Sequence, residues 1–249
     1  QEEGHIYYVK GQTGYTSSTK FAHSFSKPFD ADAIIKRMLA SGKNKKYEGM
    51  TPFEIKQMWK QNGAQASSMG TKMHYAIEAY YNDIARADAL GGDSVGVVLD
   101  DQLWNGLDDE RAQFTAFREN IGGLYPFRTE WCIYHEELKM TGSVDMVFKN
   151  ANGGYDIYDW KRSKEIKTSA FNNFSCEAFS HLPDCNFWQY TIQLNVYKYI
   201  LENKYDMRID NLFLVAMHPE HSAFKRINAP VITNELVECF KEVGMLSDE

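Results

Sequence analysis

Asp145, Asp159 and Lys161 are the residues whose types and spacing suit chemistry. They stand in GSVDMVFK and YDIYDWK, two runs with strand-like alternation separated by the turn-rich NANGG at 150–154. In a hairpin with a five-residue loop, 149 faces 155, 147 faces 157 and Asp145 faces Asp159. Directly opposed side chains share a face with Cβ atoms about 4.5–5.5 Å apart, so two carboxylates there repel unless a cation lies between them. Lys161 lies two residues beyond Asp159 and falls on the same face. Val144, Met146 and Phe148 are expected on the opposite, apolar face. The spacing also suits an exposed Asp–Lys ladder. A two-residue Asn152-Gly153 turn would instead oppose Asp145 with Trp160 and split the carboxylates. The functional reading requires an odd loop.

Other candidates surround this hairpin. Gln193 and Tyr197, four apart in a helical segment, share a face with Gln189. His74, with Glu78 one turn on, reads as either a core histidine or a ligand. Arg162, Lys164 and Lys167 form a basic cluster that could receive a phosphate backbone, partly offset by Glu165. Phe171, Phe174, Phe179 and Phe187 suit either stacking on unpaired bases or local packing. The stretch Cys176-EAFS-His181-LPD-Cys185 lacks the two-plus-two ligand pattern of zinc sites. With Cys132 and Cys239 it makes four scattered cysteines without a CxxC, which fits a reducing compartment.

Helical signals dominate the first half and must carry His74. Residues 30–40 open on an Asp cap; 51–62 open on Thr, Pro and Glu in capping-box order. Residues 66–89 place Met69, Met73, Ile77, Tyr80, Tyr81 and Ile84 at helical spacing, and about 106–121 repeats Leu107, Phe114, Phe117 and Ile121. After Pro126 come strand signals at 127–135, 142–149 and 155–161, a loop, a helix at about 187–203 and a buried strand at 211–218. The expectation is an α/β fold, a central mixed sheet flanked by helices. One domain over 1–249 would comprise a mainly helical part to about 125, a core over about 126–218 and a strand/helix at 219–249.

The chain has 249 residues, 43% hydrophobic and 24% charged, enough for a large core. No apolar run approaches the roughly 20 residues that span a bilayer, so no membrane partner is expected. The opening QEEGHIYYVK lacks both an initiating Met, as a trimmed chain would, and the layout of a secretory signal. The net charge of −7 argues against a passive nucleic-acid coat but not against an enzyme with a local groove.

GTKMHYAIE, TGSVDMVF, YDWKRSKEI and QLNVY, in that order, resemble the motifs of the PD-(D/E)xK nuclease superfamily in its RecB-like branch, including nucleases of large DNA viruses. The resemblance implies a restriction-endonuclease-like core and Mg²⁺ or Mn²⁺ held by His74, Asp145, Asp159 and the backbone carbonyl of Trp160, a donor set that suits those ions. It gives Lys161 the attacking water and the phosphate charge, and sets Gln193 and Tyr197 at the active centre. Glu130, which begins the strand before the hairpin, joins them as an acid many relatives carry. The cysteine positions depart from those of relatives holding an iron–sulfur cluster, so none is expected. The implied activity is DNA hydrolysis, as an exonuclease on ends or single strands in replication, recombination or repair. An endonuclease or RNA-directed enzyme of the same fold, and a silent nucleic-acid-binding module, are the alternatives. The location implied is intracellular, in a host cytoplasm or nucleus if the chain is viral.

Overall fold

The hairpin forms with the odd loop that the functional reading requires. In a computed structural model that describes residues 7–42, 45–90, 97–122 and 124–247, strand β3 (Met140–Lys149) is antiparallel to β4 (Tyr155–Arg162), with Lys149 facing Tyr155 and Met146 facing Tyr158. Asn150 shapes the loop: its Oδ1 accepts from the backbone N–H groups of Asn152 and Gly154 at 3.0 and 3.1 Å. Gly153 takes a φ of +76°, open to glycine at little cost.

The strands around this pair build a mixed six-stranded sheet. β4 runs parallel to β5 (Ile209–Met217), and β5 antiparallel to β6 (Lys225–Asn228). β2 (Tyr125–His135) lies along one edge of β3. Two strands share the other edge. The two-residue β1 (Thr16–Ser17) runs parallel to Met140 and Thr141, and β4 pairs from Met146 to Lys149. Between them residues 142–145 have no strand partner on that edge among the described residues, and the sheet forks.

Helices cover both faces, and alternation along β4 explains why. Ile157 packs with the apolar side chains of α1 (Ser18–His23), α5 (Asn186–Lys204) and α6 (Thr233–Glu242). Tyr158 and Trp160 point the other way, among Met73, Ile77 and Tyr81 of α3 (Pro52–Ala89) and Phe114 and Phe117 of α4 (Asp108–Asn120). α2 (Ala31–Ser41) packs on the start of α3.

Two expectations need correction. The 51–62 and 66–89 segments form one 38-residue helix, α3, opened by the Thr51–Glu54 capping box. Asn62-Gly63 looks like a stop, yet a solvent-facing glycine costs a helix only about 1 kcal/mol, which the flanking turns absorb. Val144 does not share a face with Met146 and Phe148: it packs on the α5 side, and they pack on the α3 side. The alternation breaks beside Glu130, a β2 residue with a φ of +42°.

Candidate active site at the fork in the sheet

A cavity of about 550 Å³ opens at the fork, lined by His74, Asp145, Lys161, Gln193 and Tyr197 among others. Each residue is brought there by a different element, with local reasons. Trp160 packs its indole against Phe114 and Phe117, ring centroids 6.1 and 5.1 Å away, which fixes its backbone. Its N–H donates to Asp145 Oδ2 at 2.8 Å, and its carbonyl accepts from His74 Nε2 at 2.9 Å. His74 arrives from α3, held by the buried Met73, Ala76 and Ile77.

On the other side of its ring, His74 Nδ1 lies 3.5 Å from Glu130 Oε1 and 3.6 Å from Asp145 Oδ2. The left-handed backbone at Glu130 is unfavourable for a residue with a Cβ, by about 1–3 kcal/mol. Glu130 also accepts from Ser143 Oγ at 3.1 Å. Glu78, the sequence candidate for orienting His74, bonds Asn82 instead.

Asp159 is buried, and neither of its oxygens has a well-aligned hydrogen bond within the described residues. Among the described residues it forms an ion pair with Lys161 Nζ at 2.6 Å. The lysine ammonium also sits over the Tyr190 ring, 4.5 Å from its centroid, a cation–π contact the sequence did not signal. Tyr197 OH accepts from Gln193 Nε2 at 2.6 Å, and the same amide nitrogen reaches Thr19 Oγ1 at 3.1 Å.

The electrostatics are those of a buried site that concentrates negative charge. Burial lifts the Asp145 carboxyl above the usual range; His74 pulls it back, and repulsion from Asp159 adds to the rise. Burial opposes charge on His74, but the carboxylates of Asp145 and Glu130 outweigh it and raise its pKa to about 9. Burial likewise opposes charge on Lys161, and Asp159 and Asp145 more than compensate. Burial pushes the Tyr197 phenol well up, so it stays protonated.

The sequence model of the PD-(D/E)XK nuclease superfamily matches residues 53–236, which hold His74, Asp145, Asp159 and Lys161. The chain belongs to this superfamily. Among solved structures, the protein SSO0001 aligns at 14% identity and a TM-score of 0.28, covering 72% of each chain. A proposed exonuclease from Eubacterium rectale aligns at 15% identity and a TM-score of 0.38, over 71% of this chain and 64% of that one. A comparison with curated proteins finds no match.

Nucleases of this superfamily use divalent metals, and the side chains here fit one. Among the described residues, His74, Glu130 and Asp145 form the one group of three possible ligands, with donor atoms within 4.8 Å of one another. His74 Nε2 and the Trp160 carbonyl oxygen are 2.9 Å apart. Perpendicular donors on one ion at about 2.1 Å stand about 3 Å apart. Asp159, buried without aligned donors, supplies a further carboxylate beside them.

Other candidates lie elsewhere. Arg162 is tied to the buried Glu110 at 2.7 Å, Lys164 to Glu220, and Lys167 lies 3.9 Å from Glu165; none lines the cavity. Gln189 bonds Ser26 and Asp184. Phe174, Phe179 and Phe187 are core residues, leaving Phe171 exposed. Cys176 and Cys239 place their sulfurs 3.0 Å apart, remote from any histidine ligand pattern. Sequence reading missed the wall formed by Tyr7, Tyr15, Ser17, Thr19 and Lys20. These residues lie more than a hundred positions before the hairpin, and no local pattern linked them to it.

Proposed function

We propose that the protein is a divalent-metal-dependent nuclease that hydrolyses phosphodiester bonds in DNA, as an exonuclease on ends or single strands in replication, recombination or repair. The observation that carries this reading is the convergence of the His74 ring, the Trp160 carbonyl and the Asp145 carboxylate, with the buried Asp159 carboxylate nearby. His74, Asp145, Asp159 and the Trp160 carbonyl would hold Mg²⁺ or Mn²⁺, with Glu130 fixing His74 through its second ring nitrogen. A cation in that place supplies Lewis acidity toward a phosphoryl oxygen and lowers the pKa of a nearby water.

The chain's own groups do the rest. Lys161 carries a full positive charge in a buried position, where it steadies the attacking water and offsets charge growing on the phosphate. Water oxygen bonds to phosphorus and gives up a proton. The bond from phosphorus to the leaving nucleoside oxygen breaks, and that oxygen takes up a proton. Tyr197 accepts from Gln193, which leaves its own O–H proton to donate into the cavity. A cavity of this volume takes a ligand about the size of a small molecule, so a nucleotide of a single strand enters more readily than a duplex.

The test is incubation with 5′- and 3′-labelled single- and double-stranded DNA in Mg²⁺, Mn²⁺ or EDTA. Metal-dependent loss of terminal nucleotides from single strands supports the reading. Internal cuts alone would replace exonuclease with endonuclease, and inertness toward every substrate would contradict it.

A further inference from the structure

The first turns of α3 with α2 form an arm outside both faces of the main core. Ile35 and Ile55 make its own small buried contact, and Trp59 is pinned by a 3.0 Å hydrogen bond from its Nε1 to Tyr47 OH. The arm holds a groove of about 480 Å³ lined by Phe29, Phe53, Trp59, Lys56 and Lys60. Phe29 and Phe53 are 73% and 70% exposed, unusual for two phenylalanines facing one groove.

Charge segregates to the same region. Residues 20–72 carry ten lysines and arginines against four acids, in a chain whose net charge is −7. One of these cations, Lys56, is paired with Asp32 at 2.8 Å.

Helix geometry ties the groove to the fork. Lys56 lies 18 residues before His74, five full turns at 3.6 residues per turn, so both project from the same side of α3. Lys60 falls within about 40° of that line. At 1.5 Å per residue the two lysines stand about 21–27 Å from His74. From Gln61 to Thr71 the stretch between carries no charged residue, with Gly63 and Ser67 on the same line.

We propose that this groove is a second binding site, for unpaired bases of a single strand whose end lies at the fork. Phe29 and Phe53 stack on the bases, and Lys60 with its neighbours meets the phosphates. The proposal rests on the nuclease reading above and adds where the strand runs beyond the cut. It also gives a net acidic chain a stretch of positive balance with which to meet a polyanion.

The test uses the full chain with fluorescent oligothymidylates of about 20 and about 2 nucleotides and a matched duplex of about 20 base pairs. Even extended to about twice the 3.4 Å rise of a duplex strand, two nucleotides cannot span the roughly 21 Å from fork to groove. Binding is measured in EDTA for wild type, the double variant Phe29→Ala/Phe53→Ala, and Lys60→Glu; circular dichroism checks that helix content is kept. The double variant should bind the long strand about tenfold more weakly, leave duplex binding nearly unchanged, and cleave the short strand with Mn²⁺ as wild type does. Lys60→Glu should weaken long-strand binding and flatten its salt dependence. Unchanged long-strand affinity in both variants would overturn the proposal, as would an equal loss for strand and duplex. Binding without metal reads the arm's contribution apart from cleavage: a wild type that holds the strand through these residues yet never cuts it would support the arm and sink the nuclease reading.

Discussion

Asp145 Oδ2 accepts a hydrogen bond from the backbone N–H of Trp160 at 2.8 Å, at the level where β3 and β4 cease to pair. A side chain thus does what a backbone carbonyl does in a continuing ladder. The two strands separate without leaving the Trp160 N–H unpaired, and a carboxylate is drawn into the fork. Asp145 therefore has a structural duty and a charge duty on the same group.

Those duties separate by substitution. Asp145→Asn keeps an acceptor for the Trp160 N–H and removes the charge, so it should fold near normally and lose Mn²⁺ binding. Asp145→Ala also leaves a buried N–H unpaired and should cost a further 1–3 kcal/mol, about that much below Asp145→Asn in urea unfolding. Equal stability of the two variants would show that the hydrogen bond contributes nothing.

The pH dependence follows from raised pKa values at His74 and Asp145. A ligand protonated at neutral pH must shed its proton to take a cation, so Mn²⁺ affinity should rise with pH and level off above about 9, near the His74 value. Titration calorimetry in two buffers of different ionisation enthalpy should show proton release on binding. For the metal-free protein, a His74 pKa raised in the fold means a contribution to stability that is full below the ordinary histidine range. That contribution is lost as pH rises through about 9. Mn²⁺ should raise the melting temperature most at the alkaline end. Affinity that falls with rising pH would contradict the ligand set.

Gly142 touches the site through absence. A Cβ there would sit 2.3 Å from Cε1 of the Tyr197 ring, which α5 backs from behind. Gly142→Ala should destabilise the protein by about 1–3 kcal/mol and disturb the Gln193–Tyr197 hydrogen bond. In a Tyr197→Ala background the same change should cost much less. Additive costs in the double variant would remove the Gly142–Tyr197 contact from the account.

The hairpin, α5 and the His74 helix were legible because their signals are local: alternation, an odd loop, 3.6-residue spacing and the order of motifs. What stayed hidden depends on contacts between distant segments. β1 is two residues long and gains its meaning from lying beside Met140 and Thr141. Arg162 reads as a phosphate-binding cation until Glu110, from α4, claims it. Tyr190 is three residues before Gln193 on α5, and only the fold brings its ring under Lys161. Val144 packs on the α5 side, apart from Met146 and Phe148, beside a β2 residue with a left-handed backbone, and nothing in TEWC announces a left-handed glutamate.

The central claim is that a cation-holding set and a separate charge-stabilising lysine act together on a phosphodiester, and Lys161 tests it most directly. Lys161→Ala keeps every proposed ligand and removes one positive charge beside Asp159, so Mn²⁺ should bind at least as tightly as in wild type. Its cleavage of single-stranded DNA should fall by about 10²–10³-fold, the loss expected when one charge-stabilising group is removed from a preorganised site. Calorimetric Mn²⁺ titration and a single-turnover cleavage assay on the same preparation measure both quantities. Retained metal binding with that loss of rate is the predicted result. Near-normal cleavage by Lys161→Ala would contradict the account, because the lysine would then be no more than a counterion for a buried aspartate.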